Sequence, residues 1–266
     1  MLIAAPPERS PVAFYLLVLG IALPIWALSQ FGGVIGMMKI PVTDLMLGFA
    51  PLTAAAILVF RGEGTAALVT FLKSAFDIRK LIRSKWFAIT LLLAPQIYTV
   101  TLISLYLAGH SGGSRANLDA LPWLTVVIFL LAIGEEAGWT GYLLDPLQAR
   151  FGALGASLII AVPWWAGHLP SILQIGGSLG DIAWWFPGAI ALRILMTWLY
   201  NNTGGSLLSV VLFHTLLNVG RLVAYPTIDD HYDPTYQATG YVICVLLAAI
   251  IVMVWGSKTL ARPPAS

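Results

Sequence analysis

The chain predicts an all-α polytopic membrane protein with about eight transmembrane helices plus an amphipathic helix at the cytoplasmic surface. Three observations predict it. Of 266 residues, 59% are hydrophobic and only 10% charged, against about a quarter charged in an ordinary soluble domain. The mean hydropathy is +0.86. Apolar stretches also recur at close to the roughly 20 residues a helix needs to cross the hydrocarbon core, at about 12–30, 42–60, 86–108, 121–144, 153–169, 183–200, 205–223 and 239–256.

The first span follows Pro6, Pro7 and Glu8, a poor basic leader for a secretory signal, and Gly32-Gly33 beyond it offer no small-residue cleavage site. It is therefore expected to be retained. Between the second and third spans, Thr65 to Lys85 places Leu68, Leu72, Ala75, Ile78 and Ile82 on one helical face and Lys73, Asp77, Lys80 and Ser84 on another. That pattern predicts a basic amphipathic helix lying on the cytoplasmic leaflet. Pro95, Pro163, Pro170 and Pro187 mark helix ends or kinks in the later spans, which are tolerated where protein surrounds the backbone. There is no internal repeat, low-complexity tract or soluble segment, so residues 1–266 read as a single membrane-embedded domain.

Charge sets the orientation. Arg9, Arg61, Lys73, Arg79, Lys80, Arg83, Lys85, Arg150, Lys258 and Arg262 fall on the side that an even number of spans gives to both termini, whereas Lys39, Arg115 and Arg221 face Asp44, Asp119, Asp181, Asp229, Asp230 and Asp233 on the other. The positive-inside rule makes the first side cytoplasmic, as in a protein of a bacterial cell membrane. A net charge of +2 without a basic stripe excludes a nucleic-acid partner. The lone Cys244 excludes an intramolecular disulfide and a cysteine-based zinc site. The partners expected are the lipid bilayer and a membrane-associated peptide or protein.

Polar groups at bilayer depth are costly and mark function. Glu135-Glu136 lie past the middle of the fourth span, Trp164 and His168 close the fifth, and His214 and Asn218 sit within the seventh. Adjacent helix positions differ by about 100°, so Glu135 and Glu136 cannot both face one point. Trp164 with His168, and His214 with Asn218, have the i, i+4 spacing that shares a face. On straight helices the depths do not coincide: the carboxylates fall toward the cytoplasmic half, His214 about mid-span and His168 near the outer end, with Pro163 a means of shifting it. His110 and His231 are expected in solvated loops. The Trp pairs 164-165 and 184-185 are expected to serve as interfacial belt and packing, and Asp229, Asp230 and Asp233 as a solvated acidic loop.

A desolvated glutamate suits a general base that activates water, and imidazole and carboxamide N–H groups suit an oxyanion. Together they describe a hydrolase without a covalent nucleophile. Other membrane-protease designs find little support. There is no His-Glu-x-x-His, Ser178-Leu179-Gly180-Asp181 lacks the first glycine of an aspartyl signature, and no serine sits in a Gly-x-Ser-x-Gly elbow. No cofactor is required. A metal variant would place a divalent ion such as zinc among Glu135, His168 and His214, since two His and a carboxylate form a recognised set.

The order and spacing resemble the CAAX-protease and bacteriocin-processing family of intramembrane glutamic endopeptidases, with motifs Glu-Glu-x-x-x-Arg, Phe-x-x-x-His and His-x-x-x-Asn on three helices. The resemblance covers residues 121–222 as a CAAX-protease-like catalytic core and agrees with an eight-helix fold. It implies that Glu135 activates water, that His168 positions it, that His214 and Asn218 polarise the scissile carbonyl, and that Glu136 supports them. It further implies a prenylated protein tail or a bacteriocin leader as substrate. Trp164 stands where the family has Phe, and Thr140 where it has Arg. Without that Arg, Glu136 needs another cation, and Arg193 near the middle of the sixth span is the candidate at bilayer depth. Two other readings accompany the protease: a catalytically weakened immunity or scaffolding protein, and a small-solute transporter with a Glu/His relay.

Overall fold

The computed structural model describes residues 9–28, 31, 34–35, 40–82, 85–110, 119, 121–225, 227–228 and 231–261, with backbone alone at 34–35, 40, 227–228 and 231–232. Pro6, Pro7, Glu8, Gly32, Gly33, Lys39, Arg83, Ser84, Arg115, Asp229, Asp230 and Arg262, used above for the leader, the amphipathic face, orientation and the acidic loop, lie outside the described residues, as does the side chain of His231.

The helices are α1 (Pro11–Leu28), α2 (Val42–Leu47), α3 (Ala50–Ser74), α4 (Arg79–Ile82), α5 (Trp86–Leu107), α6 (Leu121–Glu136), α7 (Leu144–Gly167), α8 (Leu169–Gln174), α9 (Leu179–Asn202), α10 (Leu207–Ala224) and α11 (Pro234–Trp255). A π-helical segment, Ala137–Tyr142, continues α6. Two-residue strands pair antiparallel at Val34–Ile35 with Ile40–Pro41 and at Thr227–Ile228 with His231–Tyr232. Eight helical stretches among the described residues are long and apolar enough to cross a membrane, and they fall where the hydropathy puts them. The protein is an integral, multi-pass membrane protein.

The packing follows from which spans are apolar all round. In α9 every residue from Ala191 to Leu199 is buried, so this helix has no lipid face along that stretch and must be central. It packs on α7, α10 and α11, while α10 also packs on α5 and α6. A capping box starts α9: Ser178 accepts from the Asp181 backbone N–H, and the Asp181 carboxylate accepts from the Ser178 N–H, which satisfies two of the donors a helix start leaves open.

Two breaks shape the bundle. Gly152, at φ 70°, interrupts α7, a conformation open to glycine and costly with a side chain. The chain restarts at Ala153, whose N–H donates to the Lys258 carbonyl at 2.8 Å while Leu154 N–H donates to Ser257 at 3.0 Å. The second half of α7 therefore begins as a separate span, capped by the end of the last helix. Gly64, at φ 83°, similarly breaks α3.

The second break revises the amphipathic helix. Residues 65–82 do not form one continuous helix: α3 ends at Ser74, and a short α4 resumes at Arg79. Phe71, Ala75 and Leu81 are the buried side chains, and Leu72, Ile78 and Ile82 are exposed. The interruption resets the helical phase, so the 3.6-residue period cannot carry one apolar face across it. Burial of the large Phe71 sets the contact instead.

Candidate active site

The carboxylates come from the end of α6, where backbone crowding and a change of helical pitch act together. A Cβ on Gly134 would lie 2.4 Å from the Gly48 carbonyl, and one on Gly138 would lie 2.4 Å from Pro51 Cβ. Only glycine lets α6 and the π-helical segment approach α3 this closely. The π segment starts immediately after Glu136, and single-turn π segments are frequent at functional sites because they re-aim side chains.

Glu136 is fully buried and its two oxygens are saturated. Oε2 accepts from Thr140 Oγ1 at 2.6 Å and from Arg193 Nη1 at 3.0 Å. Oε1 accepts from Arg193 Nη2 and from His214 Nδ1, the latter at 2.9 Å. Arg193 is 2% exposed, and its guanidinium carbon also lies 4.2 Å from the centroid of the Trp164 ring. A buried charge persists only when paired and hydrogen-bonded. The fork-on-fork arrangement meets that requirement, and the Trp164 face adds a cation–π contact worth about 2 kcal/mol when desolvated.

Glu135 has a different environment. Trp164 Nε1 donates to its Oε2 at 2.6 Å, and Glu135 lines a cavity of about 760 Å³ together with His168, His214 and Asn218. Glu136 does not line it. The i, i+1 carboxylates thus point apart, one into a cavity and one into a closed ion-pair cluster, as about 100° of helical rotation requires.

Trp164 is the hub. Its ring centroid lies 5.8 Å from that of His214, 5.4 Å from that of His168 and 5.1 Å from that of Trp185, in edge-on pairs. His168 Nδ1 donates to the Trp164 carbonyl at 2.8 Å. The offset in depth that straight helices imply is bridged in two ways. His168 is not at the outer end of its span, because α8 follows directly and extends the apolar segment to Gln174. Trp164 then reaches from the level of His168 down to Glu135. The tryptophan expected to be packing or belt is therefore a hydrogen-bonding member of the site.

Both imidazoles have a settled tautomer. A carbonyl or a paired carboxylate beside Nδ1 accepts, so Nδ1 carries the proton in His168 and His214, and Nε2 is left as the acceptor in the neutral ring. The carboxamide of Asn218 retains N–H donors of its own. Among the described residues no group of three or more His, Cys, Asp or Glu side chains is placed to hold a metal ion. Glu135, His168 and His214 accordingly do not form the donor set of the metal variant.

Further polar groups, outside the sequence motifs, line the same cavity: Asp44, Ser171, Asp181 and Arg221. Ser171 Oγ donates to Asp44 Oδ1, and Thr43 Oγ1 donates to Gln174 Oε1 at 2.5 Å, tying α2 to α8. Asp44 and Arg221 carry a signal in the sequence, since both border apolar spans, but there they read as loop charge.

Residues 117–220 match the Type II CAAX prenyl endopeptidase Rce1-like family. The chain is also 26% identical over 238 residues to the CAAX prenyl protease 2 of Methanococcus maripaludis, a match that covers 84% of each chain. The matched segment begins ahead of α6 and ends within α10, so it contains every residue of the Glu136 cluster and of the Trp164 hub. The two matches bear out the resemblance carried by the motifs: the chain is a relative of the Rce1-like CAAX prenyl endopeptidases.

Proposed function

We propose that the protein is a glutamate-dependent intramembrane endopeptidase that hydrolyses a membrane-proximal peptide bond. The observation that carries this is the division of labour between adjacent carboxylates. Glu135 lines the cavity and accepts one hydrogen bond from Trp164, whereas Glu136 is withdrawn and holds Arg193 and His214.

In this reading Glu135 takes a proton from a water molecule, His168 Nε2 helps hold that water, and the water oxygen attacks the scissile carbonyl carbon. Asn218 donates N–H to the oxyanion. His214, with Nδ1 committed to Glu136, contributes Nε2, an acceptor while the ring is neutral. Collapse of the tetrahedral intermediate breaks the C–N bond, and Glu135 returns its proton to the leaving amine. General-base assistance of this kind contributes about 10²–10⁴-fold, and one oxyanion donor about 10²–10³-fold.

The family and the curated relative are named for prenyl-protein processing, so a prenylated peptide is the first substrate to test. The apolar portion of the cavity, formed by residues such as Val18, Leu19, Ile128 and Leu131, is suited to a lipid or apolar side chain. The motive for a weakened, non-catalytic role is the loss of the motif Arg at Thr140. Arg193 supplies a cation to Glu136 from another helix, which removes that motive. The test is hydrolysis of a panel of prenylated and unprenylated peptides by purified protein and by Glu135→Gln. Cleavage by the wild type that is lost in the variant supports the reading, and cleavage unaffected by Glu135→Gln refutes it.

A further inference from the structure

The cavity has a direction. Its polar wall is built from residues toward one end of the bundle: Asp44 at the start of α2, His168 at the close of α7, Ser171 on α8, Asp181 in the first turn of α9, Arg221 in the last turn of α10 and Gln237 near the start of α11. These positions converge on the face that carries the starts of α2, α9 and α11. The opposite end is closed. Tyr15 and Trp139 form the floor, and below them Phe14, fully buried, stacks on Tyr142 with ring centroids 5.4 Å apart and meets Trp139 edge-on at 5.4 Å. Arg9 seals this layer from beneath, donating from Nη1 to the Gly141 carbonyl at 3.0 Å and lying 5.3 Å from the Tyr142 ring centroid.

The closed end is also the basic end. Of ten described Lys and Arg residues, Arg9, Arg61, Lys73, Arg79, Lys80, Lys85, Arg150 and Lys258 lie there, leaving Arg193 in the core and Arg221 on the cavity wall. Contacts tie this surface together: Arg9 to Glu63, Lys80 to the Gly205 carbonyl, Asn201 to Gln148 and to the Thr259 carbonyl. The open end carries Asp44, Asp119, Asp181 and Asp233. An asymmetry this large orients a multi-pass protein with its basic loops in the cytoplasm.

We propose that the site admits its substrate from the non-cytoplasmic side of the membrane, so that its substrates are peptide segments presented at that surface and not the cytoplasmic ends of proteins. The substrate half of this inference rests on the peptidase reading above. The direction of access rests on the cavity and the charge distribution alone. A cytoplasmic polypeptide would have to pass the Phe14, Trp139, Tyr142 and Arg9 layer to reach Glu135, whereas a segment lying on the opposite surface meets Asp44, Ser171 and His168 first.

The test separates the two halves. In a Cys244→Ala background, Thr235→Cys reports the open end and Lys73→Cys the basic end; both positions are exposed, and Cys244 is the sole native cysteine. A membrane-impermeant maleimide applied to intact spheroplasts is expected to label Thr235→Cys and to label Lys73→Cys only after lysis. The reverse pattern overturns the proposal. A prenylated reporter peptide bearing a hydrophilic, membrane-impermeant tag is then offered to right-side-out and inside-out vesicles. Cleavage confined to right-side-out vesicles is expected, and cleavage confined to inside-out vesicles overturns the proposal. Failure of cleavage in both vesicle types and in detergent counts against the peptidase reading, and the labelling pattern still decides the direction of access.

Discussion

Arg193 grips Glu136 from a helix 57 residues downstream, with Nη1 3.0 Å from Oε2 and Nη2 on Oε1. The contact joins α9, the most buried span, to the end of α6 and places a cation where the related motif has one four residues after Glu136. Thr140, which occupies that motif position, donates its hydroxyl to the same carboxylate at 2.6 Å. A short side chain on the same helix and a long one from the neighbouring helix thus meet a demand that a single Arg meets elsewhere.

Removing Arg193 leaves an uncompensated buried carboxylate. Arg193→Met is expected to destabilise the folded protein by about 3–5 kcal/mol, read as a fall in thermal unfolding temperature in detergent. Arg193→Met combined with Glu136→Gln is expected to recover part of that loss, because the orphan charge is gone. Equal destabilisation by the single and double variants would show that the pair is not coupled.

Restoring the motif by Thr140→Arg alone is expected to lower stability and activity, contrary to what an unpaired Glu136 would imply. Thr140 is 2% exposed, and a second guanidinium beside Arg193 would add like charge and volume to a packed site. Thr140→Arg with Arg193→Met relieves both conflicts and is expected to be better tolerated than Thr140→Arg. A gain of activity in Thr140→Arg alone contradicts this account.

Trp164→Phe keeps an aromatic ring and deletes the N–H that reaches Glu135 Oε2. A hydrogen bond to a charged group contributes about 1.5–3 kcal/mol, so kcat is expected to fall by about 10–100-fold, with KM little changed. An unchanged kcat would reduce Trp164 to a packing residue.

Chelation distinguishes the metal variant. The donors it names do not form a metal-holding group, so incubation with 1,10-phenanthroline is expected to leave the hydrolysis rate unchanged. Inhibition that added zinc reverses would restore that variant.

How much of the molecule is legible in its sequence depends on what each feature needs. The eight spans follow from apolar length alone, because lipid imposes it on every crossing segment. Arg193 can be matched to Glu136 from the sequence because few cations lie at bilayer depth. The amphipathic segment is misread in sequence because Gly64 and the turn after Ser74 break its phase, and isolated glycines are weak punctuation. The π-helical segment and the Trp164 to Glu135 bond are not legible. The first depends on close approach of α6 to α3 at Gly134 and Gly138, and the second on how far α7 continues beyond Pro163. Both are tertiary facts. The Asp44 to Ser171 bond likewise joins residues 127 apart, with no local pattern to announce it.

The close approach has its own consequence. Gly138→Ala would set a Cβ 2.4 Å from Pro51 Cβ and 2.5 Å from the Pro51 carbonyl, and backbone cannot yield as a flexible side chain can. Overpacking costs typically about 1–3 kcal/mol, and here it is expected to displace the carboxylates as well, lowering both the unfolding temperature and kcat. A variant with wild-type stability and turnover would show that the π-helical segment does not need its glycine.

The most direct measurement compares Glu135→Gln and Glu136→Gln in purified protein, scoring unfolding temperature and turnover of a cleavable membrane peptide together. Glu135→Gln is expected to retain the unfolding temperature and peptide affinity while kcat falls by at least about 10²; Glu136→Gln is expected to lose stability as well as turnover, because it dismantles the contacts to Arg193, His214 and Thr140. Retained turnover in Glu135→Gln, or a loss of stability in it as large as that of Glu136→Gln, would contradict the assignment of the two carboxylates.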